Sequence, residues 1–117
     1  MNAWGRVLLH VVTALSLGTS VTFAGGDAEQ GKLAFDKLCA GCHGADGRGG
    51  AHTFMPHVDT LTKRDYIEQV PDEYLALVIM EGGIAVGKSS YMPSWKSKLE
   101  DADVQHLIAF IRSLPSY

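Results

Sequence analysis

Five consecutive residues, Cys39-Ala40-Gly41-Cys42-His43, carry the densest chemistry in the chain. Two thiols three positions apart can each form a thioether to one edge of the same porphyrin. The imidazole that follows is then held under the iron as proximal ligand, and the small residues 40 and 41 let the chain bend tightly against the ring. The spacing is the C-x-x-C-H pattern of covalent haem attachment. Other chemistries can use the same residues. A dithiol redox pair belongs beside a β-α-β pattern, and no alternating strand pattern stands out here. A closed zinc site needs about four ligands, with the fourth taken from His52 or His57 and three donors crowded into one turn. A plain disulfide would close so short a loop that it constrains the unfolded chain little. Of these, haem is the reading the residues favour.

Iron held by His43 needs a ligand on its other face. Met92 is the leading candidate, because it sits in the otherwise polar stretch Lys88-Ser89-Ser90-Tyr91 and is followed by Pro93, which fixes the direction of the chain. A thioether there has little packing purpose unless it meets something apolar. His/Met ligation raises the reduction potential. Met80 falls near the end of a helical stretch and reads as core filler. Met55 lies too soon after His43 to reach the opposite face easily. His52 and His57 could ligate and would lower the potential, but they read first as exposed loop residues. His106 falls on a polar helix face and reads as solvated.

The elements that must position these groups are helical. Asp27 can cap a first helix, with Gln30 placed to reach back, and apolar Leu33, Ala34, Phe35 and Leu38 recur through Cys39. Gly31 inside it costs about 1 kcal/mol of helix propensity relative to Ala, which points to weak helix or to close backbone contact. Gly25-Gly26 reads as a flexible start. Residues 44–57 form a Gly-rich loop. Thr62 to Val70 reads as a short helix with Thr62 and Asp65 in a capping-box-like arrangement, stopped by Pro71. A further helix spans Asp72 to Glu81 and ends at Gly82-Gly83. A second loop, 87–98, holds Met92. The last helix runs from about Asp101 to Leu114, with Val104, Leu107, Ile108, Ile111 and Leu114 as its apolar stripe. The expected fold class is all-α: four short helices and Gly-rich loops wrapped around one covalently bound haem. The two long loops cannot bury their backbone groups unaided and need a rigid apolar object to wrap.

Length and composition agree. The chain has 117 residues and a net charge of −3, with no basic cluster, so a nucleic-acid partner has no electrostatic footprint. The first 24 residues read as a secretory signal: Arg6, a largely apolar run from Val7 to Leu17, then Thr22 and Ala24 at the two positions a signal peptidase reads. The alternative, an uncleaved anchor over 7–24, is weakened by Ser16, Gly18, Thr19, Ser20 and Thr22, since a spanning helix wants about 20 mostly apolar residues. The division expected is a signal peptide, 1–24, and one domain, 25–117. Removing the leader takes away only Arg6 among charged residues, leaving 9 basic against 13 acidic.

On these residues the chain resembles the class I monohaem bacterial cytochromes c, and the resemblance covers the whole of 25–117. Its anchors are Cys39 to His43 followed by Gly44 and Gly47, and Tyr91-Met92-Pro93, which is similar to the family's distal-ligand loop. Its third anchor pairs Gly31 and Phe35 with Leu107 and Phe110. The resemblance implies that the first and last helices cross at that pairing, and that Pro56 matches a family proline whose carbonyl accepts the proximal imidazole N–H, which would orient His43. Met55 stands where the family usually has Gly, and Glu100 where many relatives have a Ser or Thr cap, so Asp101 is expected to cap instead. Trp95 resembles a residue packed near the propionates; ordinary core packing explains it equally.

The function expected is that of a one-electron carrier, not an enzyme, using haem c and its iron in the periplasm. The carrier's chemistry is the ring's, tuned by axial ligands and a dry pocket, with Leu38, Leu61, Tyr66, Leu75, Val78 and Ile79 as pocket walls. Its partners would be redox proteins with basic docking patches, meeting it at a membrane only through transient docking to redox complexes. Two further readings stand beside it: a subunit or domain of a larger periplasmic oxidoreductase complex, and an open-site haem protein that binds a small ligand.

Overall fold

Helix α1, Ala28–Leu38, begins where Asp27 turns the chain: its carboxylate accepts hydrogen bonds from the amides of Glu29 and Gln30 at 2.8 and 3.2 Å. Such a cap satisfies two of the first-turn N–H groups that a helix leaves unpaired. The computed structural model describes residues 25–50 and 58–114. The expected leader, 1–24, and His52, Met55, Pro56 and His57 lie outside the described residues. Within them the chain forms five α-helices and one 3-10 turn, with no strand, so the all-α expectation holds.

The frame is the crossing of α1 with α5, Asp101–Ser113. Val104, Leu107, Ile108, Phe110 and Ile111 are buried along α5, and Phe35 of α1 is fully enclosed. The Phe35 and Phe110 rings meet at 5.0 Å between centroids, tilted by 56°, a favourable edge-biased geometry. Gly31 lies at the crossing. A methyl group there would overlap the carbonyl oxygen of His106 and come within 2.9 Å of Phe110 Cβ, which explains the helix-weakening residue as close backbone approach.

Gly26 has the same purpose, and the expected flexible start is corrected. Its added methyl would overlap the Gln105 carbonyl. His106 is corrected too: it is half-buried, and its Nδ1 accepts the Asp27 amide at 2.7 Å, joining α5 to the first turn of α1.

The remaining elements lean on this pair. Helix α2, Ala40–His43, follows α1 directly. Helix α3 is shorter than expected, Arg64–Ile67, and Lys63 rather than Thr62 holds its cap position. The Thr62 hydroxyl is taken already, at 2.7 Å from that of Thr60. Pro71 precedes α4, Asp72–Glu81, whose Leu75 and Ile79 enter the core with Ile67 and Leu99. A 3-10 turn, Gly83–Val86, follows. At the head of α5 the cap position belongs to Glu100, not Asp101, and the Asp103 carboxylate accepts the Glu100 amide at 2.9 Å.

Arg112 ties α5 to the α3–α4 connection. Its guanidinium donates to the carbonyls of Ile67 at 2.6 Å and Val70 at 2.9 Å, and pairs with Asp72 at 2.7 Å through Nε. Among the described residues no helix is long and apolar enough to cross a membrane.

Candidate haem site

Cys39 is both the last cap of α1 and the first of α2, and His43 closes α2. The amide of Cys42 donates to the Cys39 carbonyl at 3.1 Å and that of His43 to the same oxygen at 3.0 Å. Residues 39, 42 and 43 therefore stand at i, i+3 and i+4 of one helical turn, and side chains at those offsets share a face. Gly44 then breaks the helix at φ 78°, and the Gly49 amide returns to the His43 carbonyl at 2.7 Å, bringing residues 44–49 back against the motif.

Both cysteines are free thiols. Burial, with a smaller contribution from Cys42, pushes the Cys39 thiol up to about 11. A dithiol oxidoreductase needs the opposite, a nucleophilic thiol with a lowered pKa, and its β-α-β setting is missing among the described residues. Nor does any group of three His, Cys, Asp or Glu side chains there make a metal cluster. A pair of free thiols on one turn suits thioether formation to a ring laid across that face.

His43 fits the same group. Burial lowers its pKa, favouring the neutral imidazole that ligates metals. Its Nδ1 is buried with no hydrogen-bond partner among the described residues, and Nε2 is not enclosed in that way. An imidazole that ligates through Nε2 keeps its proton on Nδ1 and normally donates it to a carbonyl or carboxylate. Pro56, expected to supply that carbonyl, lies outside the described residues. Phe35 stands against the imidazole at 6.4 Å between centroids, so the α1–α5 crossing also sets the ring's position.

Met92 is half-buried on a loop attached to the end of α4. Its carbonyl accepts the Gly83 amide at 2.9 Å and its own amide donates to Ser89 at 3.3 Å. Past it, the amides of Trp95 and Lys96 reach the Ile79 and Met80 carbonyls at 3.1 and 3.3 Å, and the Ser94 hydroxyl donates to Met80 at 2.5 Å. Trp95 and Met80 both pack against the core. Of the expected pocket walls, Leu75 and Ile79 are buried and Leu38, Leu61 and Val78 half-buried. Tyr66 is 44% exposed, and its hydroxyl lies 3.5 Å from that of Tyr74. Reading the sequence missed Gly26, His106 and the loop-facing use of Gly83, which no residue type announces.

A family model described as cytochrome c matches residues 28–115. The cbb3-type cytochrome c oxidase subunit FixP of Rhizobium meliloti (strain 1021) is 33% identical over 87 residues, 74% of this chain and 27% of that protein. Subunit CcoP of Azospirillum brasilense is 29% identical over 88 residues, again 74% of this chain and 28% of that protein. The chain thus spans little more than a quarter of the length of the curated relatives it matches. Among solved structures, the KustC0563 c-type cytochrome superposes with a TM-score of 0.60 at 22% identity, covering 74% of this chain and 98% of its own. With the match running from the start of α1 past the end of α5, the chain belongs to the cytochrome c family, which binds haem c covalently and transfers electrons through its iron.

Proposed function

We propose that the chain is a one-electron carrier, not an enzyme, that it holds a single haem through Cys39 and Cys42, and that His43 and Met92 ligate its iron. The observation that carries this reading is the placement of both free thiols and the imidazole at i, i+3 and i+4 of one turn. When bound, the haem supplies the redox chemistry, an iron that changes valence without making or breaking bonds. The chain's own residues do the rest. The two thiols anchor the ring, His43 presents a neutral nitrogen, Phe35 fixes the imidazole, and Leu75 and Ile79 keep the core dry. Pro56 is assigned the carbonyl that accepts a hydrogen bond from the His43 Nδ1–H, a role that the orphaned Nδ1 supports.

The leader composition supports export, cleavage after Ala24 and a periplasmic carrier over 25–117. Partners with basic docking patches are supported by the excess of acidic residues, some of which gather: Asp72, Glu73 and Asp101 line one groove between α4 and α5. Charge attraction of this kind raises encounter rates more than lifetimes. A haem stain on a denaturing gel after periplasmic expression tests attachment and export together; colourless secreted protein with no mass gained at the cysteines rejects the reading. Met92→Ala should lower the potential and open the iron to carbon monoxide, and an unchanged spectrum rejects Met92 as ligand.

A second reading is favoured by the relatives, which are named as subunits of cbb3-type oxidases: the domain works as the electron-entry part of a larger complex. Co-purification of the tagged chain with membrane oxidoreductase subunits from native cells would support it; recovery of the chain alone would oppose it.

A further inference from the structure

Helix α4 ends on two consecutive glycines, and one is enough to end a helix. Gly82 meets that need: it takes φ 84°, a conformation that favours glycine, and its amide closes the last turn on Val78. Gly83 has no such requirement, since its φ is not positive. Its backbone would admit any residue, yet it is buried. The reason lies across the chain. A methyl on Gly83 would overlap the Ser89 carbonyl oxygen and stand 3.3 Å from Met92 Cβ. A methyl on Gly82 would stand 2.8 Å from the Met92 oxygen and 3.0 Å from the Pro93 carbonyl carbon and the Ser94 nitrogen. Two bare backbone units thus make a floor on which segment 89–94 lies. Hydrogen bonds hold it there from both sides: the Gly83 amide on Met92, the Lys88 amide on Gly83 at 2.8 Å, and the Ser94 hydroxyl on Met80.

The geometry points to Gly82 and Gly83 as positioning residues that set the depth at which Met92 presents its sulfur to the iron. The inference rests on Met92 being the ligand and adds what holds it in place. Gly83 acts through backbone contact alone, so a single methyl should lift segment 89–94 from the end of α4 without touching the haem attachment. The Met–iron bond then lengthens or breaks, and the potential falls as sulfur ligation weakens.

The test uses the full-length haem-loaded protein and the series Gly83→Ala, Met92→Ala and the double variant. Gly83→Ala should still stain for covalent haem. It should lose much of the weak red sulfur-to-ferric-iron band, shift to a lower potential and bind carbon monoxide faster in the ferrous form. In the Met92→Ala background the same methyl should change neither potential nor ligand binding, because its route to the iron is gone. An intact band and potential in Gly83→Ala, beside a changed Met92→Ala, overturns the positioning role and leaves Met92 standing. An equal shift in both backgrounds also overturns it, since the effect would then bypass Met92. A Met92→Ala spectrum identical to the parent removes the ligand reading and this inference with it. Should Gly83→Ala yield no haem protein, Ser94→Ala decides instead. It deletes only the hydroxyl bond to Met80; a weakened band supports the floor and an unchanged band rejects it. Ile84→Ala, 71% exposed beside Gly83 and outside segment 89–94, serves as the neighbour that should leave the band alone.

Discussion

At the scale of single residues, the most consequential positions are those where a side chain is missing. Gly31→Ala should raise intrinsic helix propensity by about 1 kcal/mol and still destabilise the protein. The new methyl meets the His106 carbonyl, and overpacking of this kind typically costs about 1–3 kcal/mol. Urea unfolding followed by circular dichroism should show a lower midpoint with the slope unchanged; an equal or higher midpoint would mean that α1 and α5 can part at no cost. Gly31 was legible from its spacing to Phe35 and from the resemblance it shares with Leu107 and Phe110. Gly26, which does the same work two residues before α1 begins, was not. A glycine pair near the start of a domain reads as slack, and nothing in its own neighbourhood reveals a helix arriving from 79 positions further on. His106 failed for the matching reason: a polar residue on a polar face suggests water, while its ring nitrogen is taken by a distant amide.

At the scale of elements, the long helices were legible because each carries an apolar stripe and a stop signal. Those of α4 are Leu75 and Ile79 with Gly82; those of α5 are Val104, Leu107, Ile108 and Ile111, with Pro115 as the stop in the sequence. The short ones were not. Helix α2 is four residues with a glycine inside, so its chemistry was visible and its helicity hidden. Helix α3 lost its expected first turn because Thr62 spends its hydroxyl on Thr60. What holds α3 against the body is Arg112, donating to two carbonyls of the α3–α4 connection and pairing with Asp72. Hydrogen bonds from a charged donor contribute about 1.5–3 kcal/mol, whereas an exposed ion pair contributes about 0–1. Arg112→Met should therefore cost about 1–3 kcal/mol and Asp72→Asn distinctly less. Amide exchange should accelerate over residues 66–70 in the first variant. Equal losses from both would place the anchor in the ion pair rather than in the carbonyls.

At the scale of the whole molecule, the described apolar core is ten residues, a small one for a domain that also carries two long loops. Small domains bury a lower share of their surface and lean on a metal, disulfide or cofactor. The two cysteines are free, so the bound ring is the available staple. Cys39→Ala with Cys42→Ala should leave a haem-free chain that is largely unfolded; native-like helical circular dichroism and a cooperative thermal transition in that variant would contradict the dependence. The grounds for this expectation were legible in the sequence, because a shortage of core and an attachment motif are both compositional. The sequence conveyed the packing around the motif poorly, because contacts such as Phe35 against His43 depend on how α1 and α5 cross.

The hydrogen bond from Asp27 to His106 fastens the opening turn of the first helix to the last helix. A chain emerging from its amino-terminal end therefore exposes Cys39 and Cys42 long before the clasp that shuts the fold exists. Closure waits on the last helix, so the turn that carries Cys39 and Cys42 is complete before the fold can shut over it.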